Sequence, residues 1–149
     1  MITFKVETDE VWLRNFFMED GLINTSLIDP VNLTDEELTN EIFVVCRYKG
    51  EPAGIVRLHP VGPRMFNIHI MVKKQFFGRD KTEAMGREFF NFLNRGYGPC
   101  LLIANIVSKF RLAKAFSKAV GFLEVTTIKN AIEYPYARYD LTILYKKVN

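Results

Sequence analysis

The chain is poor in the residues that most often carry reactive chemistry. Two cysteines, Cys46 and Cys100, and two histidines, His59 and His69, are all that its 149 residues hold of either type. A metal site needs several such ligands close together, and none of these has enough neighbours of its kind. The same scarcity leaves no Ser/His/Asp or Cys/His grouping on which to rest a nucleophile. Both cysteines fall within apolar, strand-like runs, where free buried thiols in a reducing cytoplasm are expected. No apolar run approaches the ~20 residues that cross a bilayer. The charged start (Lys5, Glu7, Asp9, Glu10) is unlike a secretory leader. Repeats, low-complexity tracts and linkers are absent too, which makes residues 1–149 one expected cytoplasmic domain.

What is present is ordinary globular material: 48% hydrophobic and 25% charged, enough to fill a substantial core. The charge is unevenly spread. Residues 1–41 hold ten acids and two bases, a net of −8, while residues 42–149 hold seven acids and eighteen bases, a net of +11. Such asymmetry suggests either two surfaces of opposite preference or two solvated faces that attract each other.

Periodicity divides the chain into elements. Ile2 to Glu7 alternates as a strand. Thr8, followed by Asp9 and Glu10, starts a helix with Trp12, Leu13, Phe16 and Phe17 on one side. Thr34-Asp-Glu-Glu37 is a capping box for a short second helix. Alternation then predicts strands over Glu41–Lys49, Ala53–His59 and Met65–Lys73, joined by turns at Gly50–Pro52 and Pro60–Pro63. In the third of these, Phe66, Ile68, Ile70 and Val72 share one face, and Asn67, His69 and Met71 the other. Met85, Phe89, Phe92 and Leu93 form the apolar stripe of a long helix that Gly96 is expected to stop. Leu101–Val107 is apolar enough to be a strand covered on both faces. A further helix is expected over Lys109–Val120, with Leu112, Phe116 and Val120 inward and Gly121 at its end. Strands over about Leu123–Glu133 and Arg138–Lys147 complete an order β-α-α-β-β-β-α-β-α-β-β. That order implies a mixed α/β sheet, parallel near its middle and antiparallel at its flanks.

The most informative stretch is the strand, glycine turn and helix between Ile68 and Leu93. Such a turn leaves the first N–H groups of its helix free, and free N–H groups bind phosphate. The spacing Gln75-x-x-Gly78 suits a phosphate site, whereas Asp80 brings a negative charge to it. Asp80-x-x-Glu83 also reads as a helix cap that takes those N–H groups for itself.

The element order and three local motifs together resemble the GNAT superfamily of N-acetyltransferases, which share the acyl-CoA N-acyltransferase fold. Gly50-Glu-Pro-Ala-Gly54 is similar to the family's turn between its second and third strands. Gln75-Phe-Phe-Gly78-Arg-Asp80 is similar to its Gln/Arg-x-x-Gly-x-Gly/Ala pyrophosphate loop. Phe110-Arg-Leu-Ala113 through Ala119-Val-Gly121-Phe122 is similar to its last helix, Asn-x-x-Ala-x-x-x-Tyr-x-x-x-Gly-Phe. The resemblance implies acetyl-CoA in a V-shaped gap between the strands Met65–Lys73 and Leu101–Val107. Its pyrophosphate would rest on the loop Gln75, Phe76, Phe77, Gly78, Arg79, Asp80 and Lys81, and its pantetheine arm would align on the Met71-Val72 backbone. An amine acceptor is implied as well, and the acids Glu19, Asp20 and Asp29 would favour a cationic one.

Two positions depart from the family pattern. Asp80 stands where Gly or Ala is preferred, with Arg79, Lys81, Lys73 and Lys74 available to offset its charge. Ser117 stands where a Tyr often protonates the departing thiolate, and a serine hydroxyl is a far poorer acid. The acid is then absent, supplied by water, or supplied by Tyr136 or Tyr139. His69 is the candidate general base, since imidazole titrates near pH ~6.5. A hydrogen-bonded structural histidine is the alternative.

Two other classes remain open on the sequence. One is a catalytically degenerate GNAT-fold protein acting in binding or assembly, similar in general character to the GNAT-like head-assembly or virion proteins of tailed bacteriophages. Its contact surface would include Phe76 and Phe77, unless these pack beneath the loop. The other is nucleic-acid binding through Lys109, Arg111, Lys114 and Lys118, a run equally expected of a solvated helix face.

Overall fold

A computed structural model describes residues 1–19, 22–24 and 39–149, and of residues 22–24 and Arg79 it describes the backbone alone. The elements are β1 (Ile2–Glu7), α1 (Glu10–Phe17), β2 (Leu22–Asn24), β3 (Ile42–Tyr48), β4 (Glu51–Gly62) and β5 (Met65–Lys73). After them come α2 (Arg79–Tyr97), β6 (Cys100–Val107), α3 (Arg111–Ala119), β7 (Leu123–Tyr134) and β8 (Ala137–Val148). The predicted capping box at Thr34–Glu37 lies outside the described residues. The strands form one mixed sheet in the order β1-β3-β4-β5-β6-β8-β7, with β2 beside β5. Among the described residues only β5 and β6 run parallel, linked through α2, and the other pairs are antiparallel.

Strand alternation sends the side chains of the sheet into two cores. Val44, Val56, Leu58, Phe66 and Ile68 meet Phe89 and Leu93 of α2 and Ala113 of α3. Phe43, Val45, Ile55 and Met71 meet Leu13, Phe16 and Phe17 of α1. Burying each of these large side chains is worth roughly 1.5–3 kcal/mol. The helices α2 and α3 touch at Gly86, where a Cβ would come within 2.8 Å of Val120 Cγ1 and 3.2 Å of the Phe116 ring.

Several element ends differ from the sequence expectation. Asp9, rather than Thr8, caps α1, its carboxylate accepting the Trp12 N–H at 3.1 Å. Gly96 lies inside α2, and the stop is Gly98 at φ 76°, whose left-handed backbone suits glycine. β4 runs on through Pro60 to Gly62, so its turn with β5 falls at Pro63–Arg64. α3 is shorter than predicted at both ends, and Leu112, expected inward, is 61% exposed while Ala113 and Ser117 are buried. β2 was not predicted, because three residues are too few to show alternation.

Candidate active site

β5 and β6 stay paired for only three residues, Met65–Asn67 against Leu101–Ile103. Beyond that point β6 continues along β8, and the two parallel strands part. Ile68 and Ile70 of β5 and Ala104 and Ile106 of β6 wall the gap, with Phe77, Phe116 and Phe122 closing it around a cavity of about 50 Å³. Its polar lining is His69, Thr82, Asn105 and Ser117. Phe77, Thr82 and Phe116 also border a groove of about 420 Å³ that runs between the start of α2 and Leu112 of α3.

The gap leads to the glycine loop. Lys74–Phe76 makes one 3-10 turn, Phe77 and Gly78 are extended, and α2 begins at Arg79. Gly78 is the N-cap and has no side chain to cover the leading N–H groups. Its carbonyl accepts the first helical bond from the Thr82 N–H at 2.8 Å, and Thr82 Oγ1 donates to the same oxygen. Asp80 therefore corrects the capping expectation: it is an exposed residue of the first turn, with no capping hydrogen bond among the described residues. There its charge complements the helix dipole by about 0.3–1 kcal/mol.

The other loop residues divide by burial. Phe76 packs in the core, its ring centroid 6.0 Å from that of Tyr48, and Phe77 is half-buried in the gap, so both pack under the loop. Gln75 and Lys74 are exposed, as is Lys81, whose Nζ lies 5.7 Å from the Tyr48 ring centroid. Lys73 is turned the other way, its Nζ 2.6 Å from Glu19 Oε2 and over the Phe16 ring. Glu19 is thus engaged by the protein itself, while Asp20 and Asp29 lie outside the described residues. Met71 and Val72, the expected pantetheine rest, pair on one side with Ile55 and Gly54 of β4 and on the other with Asn24 and Ile23 of β2.

On the α1 face, beside the gap, a polar cluster is built around Arg57. Its side chain is fully buried, with Nε donating to Glu41 Oε2 at 2.7 Å and the guanidinium carbon 5.9 Å from the Phe43 ring centroid. Nη2 is 2.6 Å from the same oxygen, an ion-pair contact whose angle is too poor for a hydrogen bond. Nη1 has no acceptor among the described residues. A buried donor left unmade costs about 1–3 kcal/mol. Glu41 Oε1 is 3.8 Å from Nδ1 of His59, which is exposed. His69 is the register partner of Arg57, and its pKa is pushed down to about 4, first by burial and then by the charges of Arg57 and His59. It is neutral at pH 7 and a weak base.

Ser117 is buried in the gap wall, and its hydroxyl donates to the Ala113 carbonyl at 2.8 Å. That proton is already taken, so Ser117 offers lone pairs rather than an acid. Tyr136 is fully exposed at the β7–β8 turn, and Tyr139 packs on Tyr134 with ring centroids 5.4 Å apart. The basic helix face is largely tied down: Lys114 and Lys118 pair with Glu124, and Lys109 stands over the Tyr134 ring at 4.3 Å. Among the described residues, no group of three or more His, Cys, Asp or Glu could hold a metal, and no helix is long and apolar enough to cross a membrane. Arg57, Glu41, Thr82 and Asn105 had escaped the sequence reading. An arginine in line with Ala53 and Ile55, on an otherwise apolar strand face, was the one available signal for the first.

The fold is shared with several solved structures. A GNAT-family acetyltransferase from Streptococcus pneumoniae is similar over 100% of both chains, with a TM-score of 0.70 and 15% identity. A spermidine N-acetyltransferase from Vibrio cholerae, in complex with CoA and spermine, matches over 99% of this chain and 95% of its own (TM-score 0.71, 12% identity). A ribosomal-protein-S5-alanine acetyltransferase from Vibrio fischeri matches over 99% and 93% (TM-score 0.69, 12% identity). No protein-family profile and no curated protein sequence matches. The chain has the mixed α/β fold of the GNAT-family acetyltransferases.

Proposed function

We propose that this protein is an N-acetyltransferase that moves an acetyl group from acetyl-CoA to a primary amine. The observation that carries the reading is the parting of β5 and β6 after Asn67 and Ile103, with the gap running on to the uncapped start of α2. Acetyl-CoA supplies the acyl group as a thioester. The chain's residues suit it: N–H groups at the head of α2 for a pyrophosphate, with exposed Gln75 and Lys81 flanking the loop, and a groove large enough for a nucleotide. The likeness to an acetyltransferase bound to CoA and spermine supports both the coenzyme and the amine.

The gap residues define a modest catalytic set. Neutral His69 accepts a hydrogen bond or, through water, a proton from the attacking amine. Ser117 and Asn105 present hydrogen-bonding groups from the opposite wall. The proton lost by the amine balances the one the departing thiolate needs, so a water between the walls can carry it across. Burial of these groups in an apolar gap keeps bulk water from the thioester.

Calorimetric titration with acetyl-CoA tests the reading. The wild type should bind at micromolar levels. Asp80→Ala should bind about fivefold more tightly, because a carboxylate ~4 Å from a phosphate charge costs about 1 kcal/mol in water. A catalytically degenerate protein of this fold, acting in binding or assembly as a phage head or virion protein would, is the second reading. It draws on the tight cavity and the committed Ser117 hydroxyl, and it leads if the wild type binds no acetyl-CoA.

A further inference from the structure

We infer that the acyl group this protein prefers is longer than acetyl, a short unbranched alkanoyl chain whose tail enters an apolar cavity behind the gap. The inference deepens the acetyltransferase reading and rests on it. A second cavity, of about 40 Å³, lies between the sheet and α2. Ile70, Val72, Thr82, Phe116 and Phe122 line both this cavity and the one in the gap, so the two adjoin across one layer of side chains. His69, Asn105 and Ser117 line the gap cavity and not the second. The thioester carbon, where bonds change, belongs with those polar groups, and a hydrocarbon tail belongs on the far side of Ile70.

The second cavity sits where two core clusters meet, Val56 and Phe89 from one and Cys46 and Met85 from the other. Protein interiors are packed as densely as organic crystals, so a space of this size inside one is uncommon. Gly54 and Gly86 border it too, and neither admits a side chain. A Cβ would come within 2.6 Å of the Met71 carbonyl oxygen at Gly54 and within 2.8 Å of Val120 Cγ1 at Gly86. Met85 supplies an unbranched wall that adapts to what lies against it. One water-sized group needs ~10–15 Å³, so about three carbon atoms fit beyond the acetyl pair.

Polarity narrows the tail to hydrocarbon. Thr82 and Cys46 are the polar side chains at the second cavity. The Thr82 hydroxyl already donates to the Gly78 carbonyl, and burial pushes the Cys46 thiol up to about 12. A carboxylate on the tail would lose its water there and gain no charged partner. Transfer balances as it does for acetyl: the amine nitrogen bonds the acyl carbon, the C–S bond breaks, and the proton lost from nitrogen ends on the CoA thiol.

The test is calorimetric titration, with no amine present, of free CoA and its acetyl, butyryl, succinyl and octanoyl esters. Each methylene buried is worth about fourfold, so butyryl-CoA should bind about tenfold more tightly than acetyl-CoA. Succinyl-CoA, of the same chain length, should bind at least about tenfold more weakly than butyryl-CoA. Octanoyl-CoA should gain nothing over butyryl-CoA, because its tail outruns the cavity. Val56→Ile narrows the cavity and should cut the butyryl preference about fourfold, with acetyl-CoA affinity unchanged. Met85→Ala widens it and should move the tightest ester to a longer chain, whereas general damage to the fold weakens every ester alike. Butyryl-CoA no tighter than acetyl-CoA overturns the inference, as does a preference that neither folded variant moves. If neither variant folds, the wild type decides: equal binding of succinyl-CoA and butyryl-CoA overturns it. Failure of the wild type to bind any of these esters is a separate result and removes the acetyltransferase reading itself.

Discussion

Against α2 and α3 the sheet buries Val44, Val56, Leu58, Leu102 and Leu144, and the polar side chains there hydrogen-bond to their own helices, Thr82 to Gly78 and Ser117 to Ala113. Against α1, one residue along the same strands, it buries Arg57, with Glu41 and His69 beside it. The first face needs only apolar volume, and many side chains could supply it. The second carries an ion pair whose desolvation is rarely repaid by the attraction between its charges, so stability alone gives little reason to keep it.

The strongest way to break this contrast is to remove one charge. Arg57→Met strands Glu41 in the protein and should cost about 3–5 kcal/mol in urea unfolding. Arg57→Met combined with Glu41→Leu should recover most of that loss, and a double variant no more stable than the single one would show that the pair is a true stabiliser. On the apolar face, Leu102→Ala should cost about 2–5 kcal/mol through a cavity, with no dependence on pH between 5 and 8.

Acid sharpens the contrast further. His69 has its folded pKa depressed from 6.5 to about 4, so the unfolded chain takes up the proton first as pH falls. Its contribution is full above pH 6.5 and is lost on descending to about 4, a total of about 3 kcal/mol. His69→Asn should flatten the stability curve over that window, and an unchanged slope would place the titration elsewhere. The smallest effect belongs to Glu124, exposed beside Lys114 and Lys118, which with Thr127 hold its pKa down to about 2. Glu124→Gln should leave the melting temperature at pH 7 unchanged within error, since surface pairs contribute little.

Much of the fold was legible because local periodicity reports it. β5 matches its predicted span, Met65–Lys73, and of the expected stripe Met85, Phe89 and Leu93 are buried while Phe92 is half-buried. Helix ends were less legible: Gly96 and Gly98 are equally permissive, and it is Gly98 that takes the positive φ at the end of α2. At the site, Phe76, Phe77 and Gly78 could be placed from the turn pattern. The role of Asp80 could not, since a cap and a first-turn residue differ by a shift of two positions along one backbone. The pairing of β2 with Met71 and Val72 could not be read either, being a contact between residues nearly fifty positions apart.

By itself the sequence determined the strand and helix periods, the apolar faces and the turn that opens α2, because each follows from the conformational preferences of neighbouring residues. Only the tertiary structure decided where β5 and β6 part, which strand lies against Met71–Lys73, and that Arg57 shares a face with His69 beside the gap. These depend on pairing between distant segments, whose energy is set by register and burial across the sheet and leaves no mark on any short stretch of chain.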